Sequence, residues 1–487
     1  MSADLTVIVL AAGGGTRMKS KTMKVLHPIA GRSMVGHVLT AVAGVEPRRV
    51  VAVIGTQREQ VGPHIQSLMP ECVLAVQETQ EGTGHAVRIG WDAVPGPEHR
   101  GIVLVAYGDT PLLEAESLKA FVDFHAASPA VISILSGKVA DPGGYGRIIR
   151  NDQGQVEAIV EHKDASDEQR LVDEINSGIL AFDADFLDRA LPLLSNANAA
   201  GEYYLTDTVA LARQAGETVE AFVLDDVDQT EGANDRVQLA KMGKEKNRRI
   251  LLKWMRAGVT IMDPDTTWID ADVRLESDVT ILPGVQLLGA TVVAEDAVVG
   301  PDCTLKDVEI GQGARVIRAH GELAVIGAGA EVGPFSYLRP GTQLGAGGKI
   351  GAYVETKNVV IGEGAKVPHL SYVGDAEIGE GTNIGAGTIF ANYDGVNKHR
   401  TVIGKHARTG SNNTFIAPVT VGDGAGTGGG SVIRDDVPAG ALGVSSGPQR
   451  NILGWALKNR PGTAQAEVAS QAAASTDESG ASPSEAQ

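Results

Sequence analysis

The segment from Val279 to Leu305 reads VTILPGVQLLGATVVAEDAVVGPDCTL, and within it an aliphatic residue returns at every sixth position. The repeat continues, with changes of register, as far as Val437. The residues that keep this period are Ile281, Leu287, Val293, Val299, Leu305, Val332, Leu338, Leu344, Ile350, Ile361, Val367, Val373, Ile403, Phe415, Val421 and Ile433. Neither a helix, with about 3.6 residues per turn, nor a flat strand, with a period of two, has such spacing.

A six-residue period predicts a parallel β-helix of triangular cross-section, in which three hexads close one coil. Coils would stack at the spacing of hydrogen-bonded strands, roughly 4.8 Å. Small residues follow the aliphatic one, as in Ile350-Gly351 and Ile361-Gly362, and suit corners with unusual backbone angles. The alternative is a glycine-rich low-complexity segment, which would not keep its aliphatic residues in phase.

The chain has 487 residues, too many for one core, so we expect at least two domains. The formal charge of −18 argues against nucleic acid or an anionic membrane surface as a partner. Cys72 and Cys303 stand in no metal or redox spacing, which favours a reducing compartment. The N-terminus does not resemble a signal peptide and no segment reaches membrane-spanning length. We therefore expect a soluble cytoplasmic protein.

The N-terminal segment begins with a strand-like run, Thr6 to Leu10, followed by Ala11-Ala12-Gly13-Gly14-Gly15-Thr16-Arg17-Met18. A glycine turn between a strand and a helix can bind phosphate through backbone N–H groups, and Arg17 and Lys24 add positive charge. A tight turn of any α/β domain remains the alternative.

Three more buried strands are predicted at Val50 to Ile54, Val73 to Val76 and Ile102 to Ala106, so the first 230 residues indicate a doubly wound α/β domain. Ligands of such sheets bind beyond the carboxyl ends of the strands. Gln77 ends one strand, where it could contact a base edge or simply be a surface residue. Asp109 ends another, where it could bind Mg²⁺ or form a turn.

In the β-helix the six-residue period breaks most clearly at 391–400, and an insertion there would protrude from a corner. His369 precedes this break, and alone it is more often a surface residue. The cations Arg339, Lys357 and Lys398 lie nearby in the repeat and could bind an anionic sugar phosphate.

A series of motifs carries a resemblance to a known family. The motifs are Leu10-Ala11-Ala12-Gly13, Arg17-Met18, Lys24-Val25-Leu26-His27, Gly82-Thr83-Gly84-His85, Tyr107-Gly108-Asp109, Gly144-Tyr145-Gly146-Arg147, Glu161-His162-Lys163-Asp164 and Glu202-Tyr203-Tyr204. Followed by hexapeptide repeats, they resemble the bacterial bifunctional N-acetylglucosamine-1-phosphate uridyltransferases and glucosamine-1-phosphate N-acetyltransferases over roughly residues 5 to 455.

The resemblance implies an α/β nucleotidyltransferase domain, Rossmann-like and doubly wound, followed by a left-handed parallel β-helix of hexapeptide repeats. The predicted boundaries are a uridyltransferase domain over 1–235, a connecting helix over 236–258, the acetyltransferase β-helix over 259–455 and a disordered acidic tail over 456–487. The basic run from Lys241 to Arg249 in the connecting helix is interpreted as a solvated face.

For uridyl transfer, the resemblance implies that a sugar-phosphate oxygen attacks the α-phosphorus of UTP with Mg²⁺ as cofactor. The implied magnesium ligands are Asp109 and Asn234. The implied nucleotide- and sugar-binding residues are Leu10, Ala11, Ala12, Gly13, Arg17, Lys24, Gln77, Gly82, Thr83, Tyr107, Gly108, Gly144, Glu161, Asn176 and Asn234.

For acetyl transfer from acetyl-CoA, the resemblance makes His369 the general base that deprotonates the amine of glucosamine-1-phosphate. An imidazole suits this role because its ordinary pKa, about 6.5, lies near neutral pH. The implied sugar-phosphate ligands are Arg339, Lys357, Tyr372, Asn383 and Lys398. The implied acetyl-CoA contacts are Ala386, Asn392, Tyr393, Ser411 and Gly429.

The chain departs from the family pattern in four places. Gly14 stands where a basic residue is usual and Met23 where a proline is usual, so we expect weaker nucleotide binding or a looser loop. The run Gly424 to Gly430 has glycines in place of an aromatic residue and alanines, and Ser446 replaces a basic residue used by some members, for which Arg450 could substitute.

The predicted function is therefore the two-step synthesis of UDP-N-acetylglucosamine, a precursor of bacterial cell-wall polymers, by a homotrimer that binds only small-molecule substrates. One alternative is a single-activity sugar-nucleotide pyrophosphorylase with a structural or regulatory β-helix. The other is a non-enzymatic scaffold.

Overall fold

The computed structural model describes residues 4–55, 57–198, 200–445 and 447–478. The first domain is built on one mixed β-sheet whose central strand, Leu5–Ala11, is buried along its length. The strands of this sheet are Leu5–Ala11, Arg49–Ile54, Val73–Val76, Ile102–Tyr107, Ile132–Lys138, Arg147–Arg150, Val156–Val160, Glu174–Asp183 and Val219–Val223. A two-stranded hairpin, Pro28–Ile29 and Arg32–Ser33, lies apart from it.

Helices cover both faces of the sheet, and an apolar cluster on each face packs the helices against the strands. The α-helices are Met34–Ala43, Arg58–Leu68, Thr83–Asp92, Ala115–Ala127, Asp167–Arg170, Ala184–Ala190 and Asp207–Gln214. Short 3₁₀ helices are Thr16–Met18, Lys24–Leu26, Gly96–Glu98, Leu191–Leu193 and Val227–Thr230. This arrangement confirms the predicted doubly wound domain.

The four predicted strands lie side by side and run parallel, with Leu5–Ala11 between Arg49–Ile54 and Ile102–Tyr107. Glu174–Asp183, which the sequence analysis does not predict, is antiparallel to Ile102–Tyr107 and to Ile132–Lys138. Its pairing shifts between Asn176 and Leu180, an irregularity that interrupts the ladder beside Tyr107.

A long helix, Arg236–Arg256, connects the two domains. Asp235 caps its first turn by accepting hydrogen bonds from the N–H groups of Val237 and Gln238, both at 2.9 Å. Gly258, at φ +96°, follows its end, as the sequence predicts.

The interpretation of its basic run as a solvated face is wrong for two residues. Lys246 is largely buried and donates to the Pro111 carbonyl at 3.2 Å. Arg249 pairs with Glu114, Asp226 and Glu245. Both side chains join the helix to the α/β domain.

The second domain is the predicted parallel β-helix, and its strands begin at Thr260. Strands of the first face are Thr260–Ile261, Thr280–Ile281, Val298–Val299, Arg315–Val316, Glu331–Val332, Lys349–Ala352, Lys366–His369, Gly426–Thr427 and Leu442–Gly443. The other two faces comprise Trp268–Ile269, Arg274–Leu275, Gln286–Leu288, Val292–Val293, Thr304–Lys306, Glu309–Ile310, Ala319–Glu322, Val325–Ile326, Ser336–Leu338, Thr342–Leu344, Glu355–Ile361, Tyr372–Ile378, Ile389–Ala391, Thr401–Ile403, Thr414–Ile416, Val419–Val421 and Val432–Ile433.

The register of the ladder explains the hexad period. Ile281 pairs with Val299, and Val332 pairs with Ile350, so one coil advances by three hexads. Each of these side chains points inward and is almost completely buried. The aliphatic columns therefore form one continuous core along the prism. The left-handed sense of the coils stays an implication of the resemblance.

The C-terminal segment differs from the predicted disordered tail. It forms the helices Trp455–Asn459 and Ala464–Glu478, while residues 479–487 lie outside the described residues. Alanine, glutamine and glutamate dominate 464–478, and they are strong helix formers even where little apolar area is available. Across the described parts of the chain, none of the helices combines the length and the apolar composition needed to cross a bilayer.

Candidate active sites

A cavity of about 430 Å³ opens at the carboxyl ends of the parallel strands of the first domain. Its wall contains most of the residues predicted to bind the nucleotide. They are Leu10, Ala11, Ala12, Gly13, Lys24, Gln77, Gly82, Thr83, Tyr107, Asp109 and Asn234. Gly108 lies behind this wall, where its N–H donates to the Leu10 carbonyl at 2.9 Å. The parallel order of the strands brings these segments to the same sheet edge.

Two cations converge on the predicted magnesium ligands. The Lys24 ammonium pairs with Asp109 Oδ2 and donates to Asn234 Oδ1 at 3.1 Å. Arg17 Nη2 donates to the same amide oxygen, also at 3.1 Å. Lys24 and Asp109 expose only 13% and 18% of their side chains, so this contact lies inside the cavity and not on the open surface.

The oxygens of Asp109 and Asn234 are therefore close enough to share one cation. Carboxylate and amide oxygens are ligands that Mg²⁺ accepts. Among the described residues, no cluster of three or more His, Cys, Asp or Glu side chains could hold a metal ion alone. The pair fits an ion whose other ligands come from substrate phosphates and water.

The predicted uracil contact Gln77 is buried, which excludes the surface-residue alternative. Its amide nitrogen donates to the Gly82 carbonyl at 3.3 Å. Gln80, which the sequence analysis did not select, donates to the Ala12 carbonyl and lines the same cavity. The signal that could have found Gln80 is its place between Gln77 and Gly82 on one loop.

A second recess, of about 240 Å³, adjoins the first through Thr83, Tyr107 and Glu202, which line both. It contains the predicted sugar ligands Glu161 and Asn176. Burial raises the pKa of Glu161, and the Thr206 hydroxyl opposes this rise by donating to its carboxylate at 3.4 Å. Glu202 is a further residue that the sequence analysis left unassigned.

Burial also raises the pKa of the Tyr107 phenol, with smaller contributions from Asp109 and Glu161. The ring lies against Gly178, where a Cβ would come within 2.6 Å of it. Gly144, at φ +86°, lines neither recess, but it lies two residues before Gly146, whose carbonyl accepts from the Asn176 N–H at 2.9 Å.

The predicted residues of the β-helix form two groups. The first group occupies one register position on four consecutive coils and consists of His369, Ala386, Ser411 and Gly429. Each member lies three residues after the corresponding residue of the series Lys366, Asn383, Arg408 and Gly426, and the residues of that series pair in that order. The backbone bonds from Gly387 to His369, Asn412 to Ala386 and Gly430 to Ser411 run down this corner. The predicted general base and the predicted coenzyme contacts thus form one column, which we call the histidine column.

The His369 ring is exposed, and within the described part of the chain nothing donates to it or accepts from it. Asn383 lies on the face before the same corner, bridged to Lys366 and Arg408. The column is therefore a row of small residues with the imidazole at one end.

The second group is a cation cluster of Arg339, Lys357 and Lys398. The adjacent Lys398 ammonium is the main cause that lowers the pKa of Lys357, and Arg339 adds to it, while Asp375 opposes it. Arg339 pairs with Glu355 at 2.9 Å. Like charges that repel one another in this way attract an anion.

Tyr372 and Asn392 complete the cation cluster. Asn392 Nδ2 donates to the Tyr372 hydroxyl at 3.4 Å, and a Cβ on Gly374 would meet that hydroxyl at 2.3 Å. Glycine at 374 therefore lets the phenol lie across the strand next to Lys357. Tyr393 is more than half exposed and donates to the Gly395 carbonyl at 2.6 Å.

The departures from the family pattern do not prevent either local fold. Met23 has φ −59°, inside the range that proline imposes, and its side chain is buried. The glycine-rich coil forms the strand Gly426–Thr427, with Gly424 and Gly430 at corners of positive φ. Arg450 is exposed, and Ser446 lies outside the described residues.

The sequence profile of the MobA-like NTP transferase domain matches residues 7–174. The curated protein "Bifunctional protein GlmU" of Rhodococcus jostii is 56% identical over 479 residues, 97% of this chain and 96% of the relative. That of Pseudarthrobacter chlorophenolicus is 57% identical over 467 residues, 96% and 95% of the two chains. That of Corynebacterium glutamicum is 55% identical over 470 residues, 96% of each.

Fold and sites together define a class of protein, a nucleotidyltransferase domain joined to a hexapeptide-repeat acetyltransferase. Identity above 50% across nearly the whole chain then places it more narrowly. The chain belongs to the GlmU family of bifunctional proteins.

Proposed function

We propose how this chain carries out the two reactions of a bifunctional enzyme of UDP-N-acetylglucosamine synthesis. The β-helix acetylates glucosamine-1-phosphate with acetyl-CoA, and the α/β domain then transfers uridylate from UTP to the product, releasing pyrophosphate. The observation that supports this most is that each domain has its own group of cations. In the α/β domain Lys24 contacts Asn234, and in the β-helix Lys398 lies beside Lys357.

In uridyl transfer, the loop from Leu10 to Gly13 holds the triphosphate while Gln77 and Gly82 hold the uracil. Arg17 and Lys24 leave the oxygens of Asn234 and Asp109 for the phosphates, because a triphosphate carries several negative charges and forms charge-assisted hydrogen bonds with both cations. Glu161 and Asn176 orient the sugar through its hydroxyl and amide groups. The phosphate oxygen of the sugar then attacks the α-phosphorus in line, so the protein contributes positioning and positive charge and no nucleophile.

Asp109 and Asn234 would hold Mg²⁺ beside these phosphates. When bound, the ion neutralises charge that develops on the phosphate oxygens. The protein itself keeps the two oxygen ligands at the edge of the sheet. When neither metal nor nucleotide is bound, the Lys24 ammonium contacts these oxygens.

In acetyl transfer, the cation cluster of Arg339, Lys357 and Lys398 binds the phosphate of glucosamine-1-phosphate. Tyr372, Asn383 and Asn392 contact the sugar. His369 takes a proton from its amine as the nitrogen attacks the thioester carbon, and the C–S bond then breaks as coenzyme A leaves as the thiol with the proton that the imidazole had taken. The pantetheine arm runs along the histidine column, where Ala386, Ser411 and Gly429 leave space beside the corner.

The enzyme is a homotrimer in this proposal. A corner of a prism is convex, and the His369 ring there is exposed, so the residues that the structure describes do not enclose it. A neighbouring β-helix packed along the histidine column would supply this wall and exclude water from the thioester.

Two assays on the purified full-length protein test the proposal. Release of coenzyme A thiol from acetyl-CoA should require glucosamine-1-phosphate, and release of pyrophosphate from UTP should require N-acetylglucosamine-1-phosphate and Mg²⁺. Pyrophosphate release without thiol release would favour the single-activity pyrophosphorylase instead. Sedimentation at several protein concentrations tests the trimer, and an active monomer would contradict it.

A further inference from the structure

One corner of the β-helix carries residues of positive φ on consecutive coils. Asp307, Leu323, Gly341, Asn358 and Asp375 have φ of +53°, +47°, +82°, +44° and +49°. Each lies two residues before the matching member of the series Glu309, Val325, Gln343, Val360 and Glu377, whose pairings in that order place these corners in one line. In the next coil, residues 392–400 replace the corner, since the chain leaves after Ile389–Ala391 and returns at Thr401–Ile403.

These residues form a hairpin, which we call the insertion hairpin, held together from within. Asp394 accepts from the N–H groups of Val396 at 2.8 Å and Asn397 at 2.6 Å, and from His399 Nε2 at 2.7 Å. The His399 N–H donates to the Asn392 carbonyl at 2.8 Å. The hairpin can therefore turn as one unit about its two attachments without losing these bonds.

The side chain that fixes the hairpin to the prism is Asp375. Its Oδ1 accepts from Asn358 Nδ2 at 2.7 Å, one coil earlier, and its Oδ2 accepts from Asn392 Nδ2, the first residue of the hairpin. Asn392 is only 8% exposed. Removing the closer acceptor of a buried amide is costly, so this bond favours one orientation of the hairpin.

The same carboxylate faces the cation cluster. Asp375 opposes the lowering of the pKa of Lys357 that Lys398 and Arg339 cause, so its charge acts on the group that would bind phosphate. Lys398, at the returning end of the hairpin, pairs through its backbone with Tyr393. Asp375 and Lys398 are therefore linked through Asn392, its neighbour Tyr393 and the bridge from Tyr393 to Lys398.

We propose that Asp375 is a positioning residue for acetyl transfer, which joins the root of the insertion hairpin to the phosphate-binding coil and so aims Lys398, Tyr393 and Asn392 at the substrates. It acts through Asn392 and touches no reacting atom. The inference rests on the acetyl transfer proposed above. It adds a residue that lies outside the predicted substrate contacts.

The test compares Asp375→Ala with Asp307→Ala in the full-length protein. Asp307 has the same register position and positive φ, and its carboxylate also accepts a bond, from the Ala290 N–H at 2.8 Å, but no hairpin begins beside it. Asp375→Ala should raise the KM for glucosamine-1-phosphate about tenfold or more, because small displacements of positioning groups are costly. Asp307→Ala should leave both KM values for acetyl transfer unchanged, and uridyl transfer should persist in both variants.

A second readout reports the hairpin itself. Trypsin should cleave after Lys398 faster in Asp375→Ala than in the wild type or in Asp307→Ala. Asp375→Asn, which keeps one carbonyl oxygen for Asn392, should lie between the wild type and Asp375→Ala in both KM and cleavage rate. The double variant Asp375→Ala with Asn392→Ala should raise the KM by less than the product of the two single fold-changes, because both substitutions remove the same hydrogen bond.

Equal KM and cleavage rates for Asp375→Ala and the wild type would overturn the inference. So would an equal effect of Asp307→Ala, since that would mean any acidic corner matters, or full additivity with Asn392→Ala. Absence of acetyl transfer from the wild type is a different result: it overturns the proposed function, and the cleavage rates then decide separately whether Asp375 holds the hairpin.

Discussion

The two candidate sites differ in how much of each a single chain completes. In the α/β domain, Lys24, Asp109 and Asn234 contact one another inside a cavity of about 430 Å³. In the β-helix, the His369 ring is exposed, and the members of the cation cluster repel one another. Strand ends of a twisted sheet form a concave edge, whereas the faces of a prism are convex. A β-helix can therefore display catalytic groups accurately, but it needs a second surface to enclose them.

The largest expected effect separates the two sites completely. His369→Ala should lower kcat for acetyl transfer by about 10²- to 10⁴-fold, the usual contribution of a general base, and leave uridyl transfer unchanged. His320→Ala, at an exposed histidine of another β-helix strand, is the matched control and should affect neither activity. Loss of both activities in His369→Ala would mean that the substitution damages the fold.

The converse change tests the enclosed site. Asp109→Asn should lower uridyl transfer on the order of a hundredfold, because a lost preorganised charge near the phosphates has a cost of that size. It should also raise the Mg²⁺ concentration needed for half-maximal rate, while acetyl transfer stays the same. In the wild type, chelation of divalent metal should likewise lower uridyl transfer and leave acetyl transfer unchanged. Acetyl transfer that depends on metal would contradict the comparison.

Cutting the chain between the domains tests whether the enclosed site is self-sufficient. A fragment ending at Ala257 should keep uridyl transfer but melt at a lower temperature than one that also contains residues 258–289. Asn247 donates to the Thr267 carbonyl at 2.8 Å and accepts from the Ile269 N–H at 3.0 Å, and the shorter fragment loses both bonds. The expected loss is about 2 kcal/mol. Equal melting temperatures would show that the first coil does not support the helix.

The smallest effect concerns the phosphate loop. Gly14 has no heavy atom within 4 Å of where its Cβ would lie, so a longer side chain fits. Gly14→Arg should lower the KM for UTP about two- to fivefold, as expected for one exposed charge. The gain should shrink at high salt. Gly14→Ala separates this charge effect from backbone stiffening, and an equal gain in Gly14→Ala would assign the improvement to the backbone.

The sequence predicted the elements whose signal is periodic or local. The hexad period indicated the β-helix, and the buried strand runs before Gly13 and Asp109 indicated the parallel sheet. The antiparallel strand Glu174–Asp183 was missed because its direction depends on which neighbour it pairs with. The helix Ala464–Glu478 was missed because low apolar content argued for disorder, although alanine favours a helix at each position.

The sequence showed which residue types the candidate sites contain, but not which of these residues contact one another. A strand followed by an acidic residue, or a cation in a hexad, is visible along the chain. No local sequence pattern shows that Lys24 contacts Asn234 or that Asp375 contacts Asn392, because these residues are far apart along the chain. Gln80 was overlooked, and Glu202 was quoted in a motif without a role, for the same reason: only the folded loops turn them into the cavity.

By itself, the sequence determined a triangular prism after an α/β domain, because side-chain period and strand runs are properties of neighbouring residues. Only the tertiary structure decided that His369 shares one corner column with Ala386, Ser411 and Gly429, and that Asp375 meets the root of the insertion hairpin. The physical reason is that register between coils is determined by backbone hydrogen bonds and inward packing across 16 or more residues, so changes in hexad length shift which side chains meet.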